Sequence, residues 1–240
     1  SFKATNADEV YEQVKLIDWS QYLDVKKTFA IDATVFSEEF RHSKFVTYRV
    51  KDAIADWFME RENRRPSIRL DNPDLFLNVH ISHTQCTISL DSSGESLHKR
   101  GYRDAQTEAP INEALAAGML LLAGWDGKSN FIDPMCGSGT FLIEAALIAL
   151  NIPQSIYRQS FAFEKWTDFD KELFEELYND DSLERPFEFK IMGADVSPRA
   201  VKIAQENIKA AGLHKYITVE QRSISDWEPQ TETVLIVTNP

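Results

Sequence analysis

Along the first hundred residues the spacing of apolar positions changes period several times. Phe29–Phe36 (FAIDATVF) alternates apolar and polar residues, the period-two signature of a strand. Phe45–Glu62 instead carries Val46, Val50, Ile54, Trp57 and Phe58 at helical spacing. It runs out in a basic cluster, Arg61, Arg64 and Arg65, just before Pro66. Ala7–Ile17 also reads as a helix, followed by Trp19 and a short connection. Leu75–Ile81 and Cys86–Leu90 alternate again on either side of Ser82–Gln85, which predicts a hairpin. Elements in this order predict a small α+β domain over residues 1–95.

Gly94–Pro110 (GESLHKRGYRDAQTEAP) is polar and rich in turn formers, so an interdomain linker is expected at 96–110. Ile111–Leu122 reads as a helix, and the texture then becomes strand, loop, helix over Asn130–Asp133, Pro134–Gly139 and Thr140–Leu150. After a long acidic insertion, Phe189–Asp195 predicts a second strand and Pro198–Ala211 a second helix, ended by Gly212 as a left-handed cap. Ile217–Gln221 predicts a third strand and Thr233–Thr238 (TVLIVT) a fourth. Strands alternating with helices imply an α/β domain over 111–240, built on a mostly parallel, doubly wound sheet.

Composition narrows the setting. A chain of 240 residues accommodates two such domains, and 43% hydrophobic with 27% charged residues is the balance of a globular protein in water. The apolar run Phe141–Leu150 is too short to span a bilayer. No charged-then-apolar signal segment opens the chain, so a cytoplasmic protein without a membrane partner is expected. Cys86 and Cys136 form no CxxC pair and the five histidines show no ligand spacing, so neither a disulfide nor a metal site is expected. A first residue of Ser, and Pro240 directly after an apolar run, read as cut ends. The net charge of −12 argues against indiscriminate nucleic-acid binding. Its distribution modifies that conclusion, because residues 41–69 hold eight basic side chains against four acidic, whereas 164–188 hold three against ten. RNA contact is therefore expected from the N-terminal part, with Arg64 and Arg65 as candidates.

The strongest chemical signal is Phe131–Thr140, FIDPMCGSGT. A buried strand feeds a tight loop whose Gly137 and Gly139 let the backbone approach a ligand, and the next helix offers that ligand its unpaired N–H groups. The cofactor-binding candidates here are Asp133, Pro134, Cys136, Gly137, Ser138, Gly139 and Thr140. The dinucleotide fingerprint is not completed, and a carboxylate, Glu144, follows where a pyrophosphate would be held. No Gly-Lys-Ser/Thr ends the loop either, so a nucleoside ligand without phosphates fits better. Asp195 closes the second strand, where an acid can accept both ribose hydroxyls. It could instead cap the following helix, but Ser197 is better placed, with Pro198 at the first helical position. Asp226, after the third strand, could accept from an adenine amino group or be a plain surface acid. The fourth strand ends in Asn239-Pro240, which puts an amide at the carboxyl edge of the sheet, where open α/β sheets bind ligands.

Together these segments resemble the THUMP-domain RNA methyltransferases, most closely the bacterial enzymes that modify guanine N2 in large-subunit (23S) ribosomal RNA. The matching pieces are KDAIADWF from Lys51 with Arg65-Pro66, the hairpin ending near Asp91–Gly94, LHKRGYR at Leu97–Arg103, APINEALAA at Ala109–Ala117, and Asp133–Thr140. The resemblance spans nearly the whole chain. It implies a THUMP RNA-binding domain lacking its extreme N-terminal part, then a Rossmann-like methyltransferase domain truncated after its fourth strand. It further implies S-adenosyl-L-methionine as cofactor and ribosomal RNA as partner. Asn239 and Pro240 match the first two positions of the family's catalytic Asn-Pro-Pro-aromatic motif. The implied reaction is methyl transfer to the exocyclic amine of a guanine splayed out of its helix, with Asp133 orienting the methionine end of the cofactor. Arg100, Tyr102 and Arg103 are expected to hold phosphate or stack on a base at the domain junction. Two rival readings remain at this point: adenine-N6 methylation of RNA or DNA, and a non-catalytic RNA-binding module on a degenerate methyltransferase fold.

Overall fold

The computed structural model describes residues 1–40, 42–103, 110–227 and 233–240. Arg41 of the basic stretch and residues 104–109 of the expected linker lie outside the described residues. The chain divides into two compact units, Ser1–Glu95 with Ser160–Lys171, and Ser96–Gln159 with Glu172–Pro240.

The first unit is built on strands β1 (Phe2–Lys3), β2 (Thr28–Phe36), β3 (Ser67–Ile68), β4 (Leu75–Ser82) and β5 (Gln85–Leu90), ordered β1-β5-β4-β2-β3. β2 runs parallel to β4, with Phe29 opposite Leu75, while β4 and β5 form the antiparallel hairpin. Alternation along β4 buries Leu75, Leu77, Val79 and Ile81. Helix α1 (Ala7–Lys15) starts because the Asn6 side chain accepts hydrogen bonds from the Asp8 and Glu9 amides, at 3.0 and 2.9 Å. Helix α2 (Ser43–Glu62) buries the stripe Val46, Val50, Ala53, Ile54, Trp57 and Phe58, and stops at Asn63 in the left-handed region with φ 53°.

Residues 160–171 return to this unit, so the domain expected over 111–240 is interrupted. Phe163 N donates to Ser92 O at 3.1 Å, and Lys165 Nζ donates to the carbonyls of Asn72 and Pro73 at 3.2 and 2.9 Å. Lys27 Nζ donates to Lys165 O at 3.0 Å, Thr167 Oγ1 donates to Gln21 O at 2.9 Å, and Trp166 packs against the core. The segment carries Phe161, Phe163, Trp166 and Phe169 but no regular apolar period, so nothing local in the sequence says which unit these aromatics join.

In the second unit four parallel strands, β6 (Asn130–Asp133), β7 (Ile191–Asp195), β8 (Ile217–Gln221) and β9 (Val234–Ile236), take the order β8-β7-β6-β9. The remaining helices are α3 (Glu113–Leu122), α4 (Thr140–Leu150), α5 (Lys171–Tyr178) and α6 (Pro198–Ala210). α4 is buried on nearly every side, as its unbroken apolar composition requires. α6 begins at Ser197, whose hydroxyl accepts from Ala200 N, with Pro198 at its first position. It ends as expected at Gly212 (φ 69°), where the Gly212 and Leu213 amides donate to Lys209 O and Ile208 O, a Schellman closure. Successive strands step outward from β6 to β7 to β8, whereas β9 lies on the other side of β6. The strand order therefore reverses between β6 and β9, and a crevice opens there at the carboxyl ends.

Candidate active site

Asp133 closes β6, Asp195 closes β7, Asp226 lies in a 3-10 turn (Ile224–Asp226) after β8, and Asn239-Pro240 follow β9. Parallel strands put all four at one edge of the sheet. The loop 134–139 crosses that edge. Cys136 N donates to Ala194 O and Gly139 N to Cys136 O, both at 2.8 Å, which folds the loop tightly over β7. The two loop glycines serve different purposes. Gly139 has φ +83°, and a Cβ there would sit 3.2 Å from Ala204 Cβ on α6, so it is needed for close packing. Gly137 (φ +52°) has nothing within 4 Å of where a Cβ would stand, so its open side is left for a ligand.

Asp195 is held from both oxygens. Oδ2 accepts from Gly137 N at 3.0 Å and Oδ1 from Ser197 N at 2.9 Å. Each oxygen keeps acceptor capacity, so a ligand's hydroxyl pair can still be received. Asp133 is buried, at 1% exposure, and has no ion-pair partner among the described residues. Burial pushes its pKa up to about 6, a rise that the neighbouring Thr238 hydroxyl and then the Met135 amide, donating at 3.2 Å, offset only in part. A buried carboxylate lacking a cation is the group a ligand ammonium would satisfy. Pro110, Ile111, Asp133, Gly137, Thr140 and Asn239 are among the residues lining a cleft of about 60 Å³ at this edge. Cys136 is buried beside Asp133 and Asp195, and burial raises its thiol pKa far above the ordinary range. It fills the loop as an inert side chain. Asp226 and Asn239 are exposed.

Two expectations need correcting. Arg100, Tyr102 and Arg103 do not line a surface for RNA. Arg100 is 7% and Tyr102 2% exposed, because the segment is threaded through the second unit's interior. Arg100 donates from Nε and Nη2 to the Glu144 carboxylate at 3.2 and 3.1 Å, and the Tyr102 hydroxyl donates to Glu144 Oε1 at 3.2 Å. The same pairing disposes of Glu144 as a carboxylate facing the loop, since it is wholly buried in α4 and turned to Arg100. Gly101, at φ +107°, passes so close to Tyr157 O that a Cβ would fall 2.3 Å from it. Arg103 Nη2 donates to Thr140 Oγ1 at 2.8 Å and to Ile111 O at 3.1 Å, and lies 3.3 Å from Glu113 Oε1. One contributor to the site had no motif to announce it. Asn207, fully buried on α6, donates from Nδ2 to Ser138 O at 3.0 Å and ties the glycine loop to that helix. A lone Asn on an apolar helix face was the only signal. In the first unit Arg64 and Arg65 are exposed between α2 and β3.

Comparison with known proteins also divides the chain between residues 91 and 100, with residues 160–171 inside the second match. The model of the RMKL-like methyltransferase domain matches residues 100–240, and that of the THUMP domain matches 4–91. Over its whole length the chain is 40% identical to the ribosomal RNA large subunit methyltransferase K/L of Methylococcus capsulatus, of which it covers 34%. A crystal structure from Listeria monocytogenes, named a predicted N6-adenine-specific DNA methylase, superposes with a TM-score of 0.89 at 34% identity, covering all of this chain and 63% of that one. SMU.472, provisionally assigned as a methyltransferase and complexed with SAH, gives 0.86 at 29% identity, with 100% and 64% covered. The chain thus spans about a third of the ribosomal RNA enzyme and less than two thirds of either solved chain.

Proposed function

The chain belongs to the RMKL-like methyltransferase family, with a THUMP domain ahead of the methyltransferase domain, and from that premise we propose that it serves S-adenosylmethionine-dependent methylation of guanine N2 in 23S ribosomal RNA, in the cytoplasm. The observation that carries this reading is the convergence of Asp133, Asp195 and Asn239 on one carboxyl edge beside a loop left open at Gly137.

The residues suit the cofactor. Asp133 would take its ammonium and Asp195 its ribose hydroxyls, and the cofactor would lie against the bare backbone of Gly137. The cleft alone is smaller than the roughly 300 Å³ of a small-molecule site, so the nucleoside would extend along the open edge toward Asp195 and Asp226. Bound S-adenosylmethionine supplies an electrophilic methyl group on a sulfonium. The guanine amine is a poor nucleophile because its lone pair is conjugated with the ring. Asn239 Oδ1 and a neighbouring main-chain carbonyl would accept its hydrogens, concentrating the lone pair on nitrogen and aiming it in line. No strong base is then needed, and the surplus proton passes to water. The THUMP unit, with its exposed Arg64 and Arg65, would hold the RNA.

The name carried by the Listeria structure favours a second reading, adenine N6, because that amine is conjugated in the same way and the Asn-Pro pair suits either. Single-turnover methyl transfer to ribosomal RNA, with the modified nucleoside identified by mass spectrometry, separates the two. In a chain extended to carry the whole Asn-Pro-Pro-aromatic motif, Asn239→Ala is expected to remove most turnover and leave cofactor affinity nearly intact, since the amide acts on the amine in the transition state. Near-normal rates in that variant would sink the mechanism.

A further inference from the structure

Arg103 is hydrogen-bonded to two residues that line the cleft, at Thr140 Oγ1 and Ile111 O. Its side chain is only 10% exposed and pairs with Glu113, itself 5% exposed, so the two charges nearly cancel. What Arg103 imposes on the cleft is therefore direction rather than net charge. A guanidinium can only donate. Thr140 Oγ1, at 2.8 Å, must accept from it, and the hydroxyl proton has to be given elsewhere. Ser138 Oγ, 3.3 Å away and also buried, is one receiver. The other direction is the cleft that both residues line. Thr140 is also the first residue of α4, where unpaired amides favour an anion. Asp133 also lines this cleft, its carboxylate buried without a cation. The lining thus combines an accepting carboxylate with a hydroxyl that has a proton to donate, the two functions that an amino-acid zwitterion calls for.

We infer that Arg103 is a positioning residue that holds the Thr140 hydroxyl as a donor to the carboxylate of an amino-acid ligand end, so that the site selects a nucleoside bearing that end over the nucleoside alone. The inference rests on the cofactor reading above. It also accounts for the buried arginine without any contact to RNA.

Two probes isolate it in calorimetry: S-adenosylhomocysteine, and 5′-methylthioadenosine, which keeps the nucleoside and thioether but lacks the amino acid. The unsubstituted chain should prefer the former. Arg103→Met should weaken S-adenosylhomocysteine by about tenfold and leave methylthioadenosine within about twofold. Arg103→Lys should restore part of the preference. Arg103→Met with Glu113→Gln, which removes both buried charges together, should behave as Arg103→Met does while folding normally. Adding Thr140→Val to Arg103→Met should cost little more, because both act through one hydroxyl. A parallel loss for both probes would mean that Arg103 merely braces the loop, and an unchanged preference would mean that it does nothing here; either overturns the inference. Failure of the unsubstituted chain to bind either probe would overturn the cofactor reading, and this inference with it.

Discussion

Burial holds the Asp133 carboxyl at a pKa of about 6, against about 3.9 for an ordinary aspartate. A raised acid binds its proton more tightly folded than unfolded, so it costs the unliganded fold stability as pH climbs from about 4 to 6, on the order of 2–3 kcal/mol in all. A ligand ammonium reverses the preference. Binding should therefore release a proton near pH 6, and affinity should fall as pH drops below that value; calorimetry in two buffers of different ionisation enthalpy measures the release. Asp133→Asn should abolish it and stabilise the unliganded chain at pH 7, and identical heats in both buffers would contradict the assignment. The glycines give a second contrast. Gly139→Ala forces a side chain into the left-handed region against Ala204, at roughly 1–2 kcal/mol or more, and should lower the melting temperature as well as affinity. Gly137→Ala shares the left-handed strain but meets open space, so it should cost less stability than Gly139→Ala and proportionately more affinity, as thermal melts with and without cofactor would reveal. The placement of the loop, Asp133 and Asp195 at the carboxyl edge was legible in the sequence because the strands that they close carry a clear apolar signal. Arg100, Tyr102 and Arg103 were misread because a polar string looks the same whether it faces solvent or a buried Glu144.

Among the elements, those with several repeats of their period were legible. β4, α2 and α6 each carry four or more apolar positions at fixed spacing, and their bounds fall within a residue or two of expectation. β1 and β3 are two residues each and owe their form to a partner: Phe2 lies opposite Cys86, and Ser67 opposite Thr28. No two-residue segment has a period to read. α5 (KELFEELY) has one, but its acids blended into the surrounding acidic stretch. The α2–β3 connection carries a prediction of its own. Arg64 and Arg65 are exposed on a turn fixed by Asn63 at one end and by β3's pairing at the other. Replacing both with Ala should weaken RNA binding across sequences and flatten its logarithmic salt dependence by up to about two counterions. An unaltered slope in filter binding would show that they merely stay solvated.

At the scale of the whole molecule, the division into two units was readable from the change of texture near residue 95, but the return of residues 160–171 to the first unit was not. Its warrants are contacts over long sequence separations, such as Lys165 on Asn72 and Pro73. A fragment of residues 1–95 should accordingly unfold at lower urea than the same unit within the chain, and a peptide of residues 160–171 supplied in trans should recover part of the difference. Equal midpoints would show the returning segment to be dispensable. The same connectivity sets an order of events during synthesis. Residue 95 is followed by 76 others up to and including Lys171, the last of the returning segment. At ribosomal rates of about 5–20 residues per second, the first unit waits roughly 4–15 s after its own final strand for its last piece. Through that interval the nascent chain carries an unfinished N-terminal unit with Asn72 and Pro73 uncovered by Lys165. This is the window in which a chaperone would meet it, and in which substitutions at Lys165 or Trp166 would tell on yield before they told on activity.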